Sequence, residues 1–347
     1  MKTKRIRMRI LAQLYLIFVC LVLAGIYLGI TNFHVHEGLP EHGSGQPVEL
    51  EYLNGKLYFI DNKLFSNLRS ASLDGLSLSE SLGINGVREI AKSGQFIFAI
   101  CQEERGYYPD TVYIYDTKKD QKVEKINLKE IPIGTRSYCG FFFACADDGG
   151  IWMESVGNAT LFLQITATGN IKVVDVKEYS YAHLLQHQNG KLFFSSSNED
   201  EKTPGIYAMD EETGKVTKLS DRTASFGFIW NGQLLLGQSM VNYDVGCIDL
   251  TVGEERTLPF NIDGEFCIYK DMLYGTDGNQ LCAYDLIENK GYCVPSNEWR
   301  HYDGAVVADD GRLFLARETL NLIGKTRIFY EDLNKIKWKE NTDIEIK

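Results

Sequence analysis

The chain lacks the linear motifs by which many enzymes are read. It has no Gly-x-Ser-x-Gly nucleophile elbow, no Walker-type phosphate loop and no HExxH zinc helix. The enzyme classes built on those motifs are therefore excluded, although a site assembled from several repeats needs no linear motif. No acidic run has the spacing of an EF-hand loop. The eight cysteines form no CxxC pair and no regular framework, so neither a zinc ribbon nor a disulfide-stapled fold is indicated. Beyond the first ten residues there is no polybasic stripe. With Lys2, Lys4, Arg5, Arg7 and Arg9 set aside, 31 basic residues face 47 acidic ones, a net charge of −16. Such a surface repels nucleic acid and anionic headgroups and favours solubility and cationic partners.

What the chain does contain is a repeat. Its clearest copy runs from Gln188 to Ser220, QNGKLFFSSSNEDEKTPGIYAMDEETGKVTKLS. Asn189-Gly190 is a turn signal, since both residues accept positive φ at low cost. LFFSS reads as a strand, Asn198 to Pro204 as a polar loop, and GIYAMD as a second strand. Alternation places Ile206, Ala208 and Asp210 on one face and Tyr207 and Met209 on the other. An acidic turn through Gly214 leads to a third strand, Lys215 to Leu219.

Related phrases begin near Asn54, Ser93, Asp148, Asn231, Lys270 and Asp310. With Gly55, Gly94, Gly149, Gly190, Gly232, Asp271 and Gly311 as markers, the gaps are 39, 55, 41, 42, 39 and 40 residues. A period near 40 with about four short strands per unit is the signature of a β-propeller. The expected fold is all-β, a β-propeller of seven four-stranded blades; a solenoid is the competing reading. The long gap marks an insertion shared between Cys101–Asp110 and Asn127–Tyr138.

Ahead of the repeats, the five basic residues precede an uncharged run of 21 residues, Ile10 to Ile30. As a helix it spans roughly 30 Å of hydrocarbon. The expectation is a cytoplasmic tail (1–9), a transmembrane signal-anchor helix (10–30), a linker (31–47) and an extracytoplasmic propeller (48–347) at the cell membrane. A cleaved signal peptide and a lipoprotein at Cys20 are the alternatives; the run is long for the first, and Cys20 lacks a small residue before it. Gly25 and Gly29 have small-xxx-small spacing, which leaves open packing against partner helices. His34, His36 and His42 sit in the linker as solvated residues.

Blade one carries a family resemblance. LYFID (Leu57 to Asp61) resembles the Tyr-Trp-Thr-Asp repeat of low-density-lipoprotein-receptor-type propellers, and LRSASLDG (Leu68 to Gly75) resembles the strand and turn that follow it there. Tyr274-Gly275-Thr276-Asp277 is a degenerate second copy. Seven units depart from that family's six. The resemblance implies a bacterial membrane-anchored protein with a receptor-like propeller of unknown function. In blade four, Ala208-x-Asp210-x-x-Thr213-Gly214-Lys215 is similar to the docking motif of pyrroloquinoline-quinone-type repeats. Lys218 stands where that motif has Trp, so it implies kinship of fold and no quinone.

Candidate site residues follow from propeller geometry. The second-to-third-strand loops and the blade-to-blade loops gather on one face. They carry Arg105, Tyr107, Tyr108, Arg136, Tyr138, Tyr179, Arg222, Tyr243, Trp299, Arg300, His301 and Tyr302. Tyr, Trp and Arg are enriched at binding hot spots. The expected function is a non-catalytic binding or scaffold module for a protein, peptide or cell-wall glycan. A propeller hydrolase or lyase acting on an extracellular polymer, and a subunit of a membrane complex, are the alternatives. No catalytic residue, cofactor or metal is assigned. The acidic turns at Asp147, Asp309, Asp263 and Asn198 read as hairpin chemistry, with calcium in one of them the competing reading. His183 and His187 lie on one strand, where i and i+4 are about 13 Å apart, and read as structural. Cys282 and Cys293 flank one hairpin and face each other only if the register is exact to one residue.

Overall fold

The computed structural model describes residues 13–23, 35–37, 50–61, 66–73, 79–104, 108–131, 140–155, 161–176, 179, 182–196, 204–237, 244–261, 267–277, 280–295, 305–319 and 325–340. Seven antiparallel blades succeed one another over 50–81, 87–127, 141–175, 182–220, 226–261, 267–295 and 305–332. Within each, consecutive strands are neighbours, so every blade is a meander built from hairpins.

The turn chemistry of the repeat explains the meander. Asn54, Asn189 and Asn231 have φ of 51°, 51° and 44°, and each is followed by a glycine with positive φ. Two such residues in succession make the tight turn that matches strand twist. Blade six forms the same turn with Lys270 and Asp271, at φ of 47° and 63°, and no glycine. A second weld recurs at the end of the third strand. Asp210 Oδ1 accepts from Thr213 N at 2.8 Å, and Asp249 Oδ1 accepts from Thr251 N at 2.8 Å. Asp116, Asp285 and Asp332 cap the equivalent turns. The next residue then reaches back to the first turn: Glu211 N donates to Gly190 O and Leu250 N to Gly232 O, both at 2.9 Å.

The core is divided rather than central. Each of the seven blade-to-blade seams holds its own apolar cluster. The alternation expected in GIYAMD is the one observed: Ile206 and Ala208 pack toward blade five, Tyr207 and Met209 toward blade three. Both faces of every sheet are thus removed from water, as stacked blades require.

Closure differs from the sequence expectation. Blade seven takes only three strands from its own repeat. Its fourth is Val35–Glu37, which runs parallel to Lys325–Asp332. That strand lies inside the segment 31–47, expected to be a linker. The stretch after Asp332 does not return along blade seven but crosses to blade six. There Lys339–Glu340 pairs with Lys290–Pro295 and makes a fifth strand. Leu333, Ile336 and Trp338 pack in the seam between blades six and seven on the way. The N-terminal strand therefore completes blade seven, and the C-terminal segment passes from blade seven to extend blade six. Each added strand covers an edge that would otherwise present unpaired N–H and C=O groups.

Ahead of the propeller, residues 13–23 are helical, with Leu14, Phe18 and Leu21 exposed. Among the described residues no helix is long and apolar enough to cross a membrane. The rest of the expected span, 10–12 and 24–30, lies outside the described residues.

Candidate functional site

The turns between first and second strands converge on one end of the central channel, because each ends the innermost strand of its blade. There the blades are stitched to their neighbours. Asn54 Nδ2 donates to Thr117 Oγ1 at 2.7 Å, joining blades one and two. Ser93 Oγ donates to Asp147 O between blades two and three. Trp230 Nε1 donates to Asp271 Oδ1 at 2.9 Å between blades five and six. Tyr269 and Tyr52 give their hydroxyl protons to Asp309, at O (3.1 Å) and Oδ2 (3.2 Å), and so link blades six, seven and one. Lys92 bridges to Glu51 at 3.1 Å; burial pushes the Glu51 carboxyl up against the pull of Lys92.

The most elaborate junction joins blades three and four. Asp147 accepts from Gly149 N (2.7 Å), Gly150 N (2.9 Å) and Trp152 Nε1 (2.9 Å). His187 places Nδ1 on the same carboxylate and Nε2 on Glu211 Oε2 at 3.2 Å. Glu211 in turn pairs with Lys172 at 2.9 Å. The His187 ring lies 5.0 Å from the Trp152 ring. Burial works against charge on His187, but the hydrogen bond and charge of Asp147, joined by those of Glu211, raise its pKa above the usual value. Burial likewise opposes charge on Asp147, and its donors, His187 first, hold its pKa below the usual carboxylate value. His183, on the same strand, pairs with Glu154 at 3.1 Å, and this bond raises its pKa. Both histidines therefore act across a seam, as structural residues do.

Two clefts open at this end. One, of about 510 Å³, is lined by Tyr52, Asn54, Lys92, Ser93, Asp148 and Asp309 among others. The second, of about 430 Å³, is lined by Asp147, Asp148, Gln164, Gln186, His187 and Asn189 among others. They share Ala146, Asp147 and Asp148 and so adjoin, together lining a mouth across blades seven, one, two, three, four and five. Carboxylates and carboxamides dominate its polar lining. Among the described residues no cluster of three or more His, Cys, Asp or Glu side chains is placed to hold a metal ion.

Three residues of the sequence-predicted Arg/Tyr face are described. Tyr108 is exposed and sits edge-on to Phe142, 6.1 Å between centroids. Tyr179 is packed in the seam of blades three and four, 5.1 Å from Phe194 and 4.8 Å from Tyr207. Arg222 is taken up by Glu255 and Thr257 of blade five. Arg105, Tyr107, Arg136, Tyr138, Tyr243, Trp299, Arg300, His301 and Tyr302 lie outside the described residues. Sequence reasoning misses Gln164, Gln186 and Trp152 altogether, and gives Asp147 and Asp309 only a turn role. For the two aspartates, a place just before each repeat marker is the available signal, because that position brings them to the channel mouth.

No protein-family model matches the chain, and comparison with curated proteins finds no relative by sequence. Solved structures are similar in fold. The extracellular domain of the putative one component system BT4673 from B. thetaiotaomicron has a TM-score of 0.59 and 13% identity over 87% of this chain and 43% of that one. Hsv2 of Kluyveromyces lactis has a TM-score of 0.51 and 12% identity, over 83% and 98%. The AfRom2 CNH domain has a TM-score of 0.51 and 10% identity, over 86% and 96%. This chain thus spans less than half of the B. thetaiotaomicron structure. At these identities the likeness concerns fold alone. The molecule is a seven-bladed β-propeller with a polar, acid-lined mouth, a fold suited to binding or scaffolding.

Proposed function

We propose that the protein is a membrane-anchored, extracytoplasmic, non-catalytic binding module whose ligand sits in the mouth formed by the adjoining clefts. The observation that carries this reading is that the two clefts meet at Ala146, Asp147 and Asp148. A concave site with convergent polar groups is the default place for a ligand on such a scaffold. Asp148 and Asp309 favour a cationic group, and Gln164, Gln186 and Asn189 favour hydroxyl or amide groups beside it. A peptide with a lysine or arginine, or a cell-wall glycan carrying an amine, meets both demands. The basic tail and the apolar run 10–30 support the anchor, with the propeller outside by the charge rule. A catalytic role for His187 is disfavoured because both ring nitrogens are engaged by carboxylates.

The test is a thermal-shift series on the full chain in detergent against cationic peptides, amino-sugar oligomers and neutral glycans. Saturable stabilisation is expected with the cationic ligands, and Asp148→Asn with Asp309→Asn is expected to weaken it. Neutral glycans stabilising the protein as well as the amines do would refute the charge argument. Hydrolysis of a polymer substrate would replace the binding reading with the enzymatic one. The loop face at the opposite end is tested through Tyr108→Ala, which removes an exposed ring. Protease protection in intact cells checks the topology; a protected propeller would place it inside.

A further inference from the structure

We propose that Cys282 and Cys293 form a redox-active cross-strand pair in blade six, a dithiol that an organic disulfide converts to an intrachain disulfide. The two residues are Cα partners in the antiparallel pairing of Gln280–Asp285 with Lys290–Pro295. Directly opposed residues share a face, and the packing agrees. Both lie with Leu235, Val245, Cys247 and Leu258 in the seam toward blade five. The next opposed pair, Ala283 and Tyr292, packs toward blade seven instead.

The backbone spacing also suits a bond. Opposed residues alternate between hydrogen-bonded and non-bonded pairs. Pro295 stands opposite Gln280 and has no N–H to give, so that pair is non-bonded. Two pairs further along, Cys282 and Cys293 are non-bonded as well. Such pairs have Cα atoms about 4.5 Å apart, inside the roughly 4.4–6.8 Å window of disulfides and at its short end. A bond at that spacing forms without backbone movement.

Access is asymmetric. Cys282 is buried, whereas Cys293 is partly exposed, and both are thiols in this structure. The Cys293 thiolate attacks one sulfur of the organic disulfide RSSR. An S–S bond forms to Cys293, the RS–SR bond breaks, and the leaving thiolate departs as RSH. The Cys282 thiolate then attacks Cys293 Sγ, and the second RSH leaves. Two electrons pass from the protein to RSSR, and two protons end on the two RSH molecules. The reverse sequence reduces the pair. Among the described residues, the other cysteines lack this arrangement. Cys247 shares the cluster but lies on blade five, where its thiol donates to Gln233 Oε1 at 3.1 Å and burial pushes its pKa up. Cys101 and Cys145 are buried in other seams. The bond would tie the outer strand of blade six to its neighbour. That outer strand carries the C-terminal strand, since Cys293 is also opposed to Lys339.

The test uses the full native chain equilibrated in glutathione buffers of stepped oxidised-to-reduced ratio, then acid-quenched. Remaining thiols are alkylated, and peptides are analysed by mass spectrometry. A peptide linking Cys282 to Cys293 is expected to rise with the oxidised fraction, unchanged in Cys247→Ser and absent in Cys282→Ser and Cys293→Ser. The urea midpoint of the wild-type chain is expected to be higher in oxidising than in reducing buffer. Alkylation of both cysteines at every ratio would overturn the proposal. So would linkage of either to Cys247 or Cys267 in comparable yield, or pairing that occurs only in denatured protein. The wild-type chain alone decides these outcomes, so a serine variant that misfolds leaves the proposal just as open to refutation.

Discussion

Replacing His187 with alanine is expected to destabilise the propeller strongly in mild acid and weakly in mild base. The side chain joins Asp147 of blade three to Glu211 of blade four through both ring nitrogens. Hydrogen bonds to charged groups contribute about 1.5–3 kcal/mol each. Partial exposure of the site lowers the sum, and Asp147 keeps Trp152 Nε1 and two backbone donors. A loss of about 2–3 kcal/mol at pH 5.5 follows. The His187 pKa is raised in the folded protein. Its protonation therefore contributes full stability below the unfolded value of about 6.5. That contribution is lost as pH rises through the raised value. Toward pH 8.5 that loss leaves one donor for two carboxylates, and the gap is expected to shrink. Asp147 sets the acid limit: its lowered pKa means the junction weakens as pH falls below about 3.9 and on through the folded value. His183 titrates in the same window as His187, with Glu154, so the comparison belongs in a His183→Gln background. Urea unfolding at the two pH values gives the two gaps. Equal gaps would show that the ring is not charged in the junction and would refute the reasoning.

Further outcomes are expected from the same structure. Gly237→Ala would set a Cβ well inside van der Waals contact of two ring carbons of Phe226, and urea unfolding should show a loss of about 1–3 kcal/mol; an unchanged midpoint would mean that the ring moves aside freely. Trp230→Phe removes the donor to Asp271. A loss of about 1–2 kcal/mol is expected. Adding Asp271→Gly should return part of it, because Asp271 has φ of 63°; no recovery would contradict the strained-turn account. Deleting residues 1–37 takes the parallel strand from blade seven and bares an edge. The truncated chain should melt at lower temperature and self-associate on size-exclusion chromatography, and a monomer of unchanged melting temperature would show that Val35–Glu37 does not close the ring.

Local chemistry determined much of this protein from the sequence alone. Asn54-Gly55, Asn189-Gly190 and Asn231-Gly232 specify turns whatever surrounds them, because the preference for positive φ belongs to those residues. The alternation in GIYAMD specifies two buried faces, because successive strand residues point opposite ways. Repeated at a spacing near 40, these signals imply the blades and their number. The face of Arg and Tyr loops is less legible: of its described members, Tyr179 and Arg222 are absorbed in blade seams. Only the tertiary structure decided closure, register and partnership. That Val35–Glu37 completes blade seven and Lys339–Glu340 extends blade six depends on where a closed ring leaves its edges. That Cys282 faces Cys293 depends on a register that one residue would reverse. That His187 meets Asp147 depends on how one blade packs on the next, and that Tyr52 meets Asp309 across 257 positions of chain depends on curvature accumulated over all the blades. Turn and strand preferences are carried by neighbouring residues and survive in any context, whereas the mouth is made by residues that become neighbours only when the ring shuts.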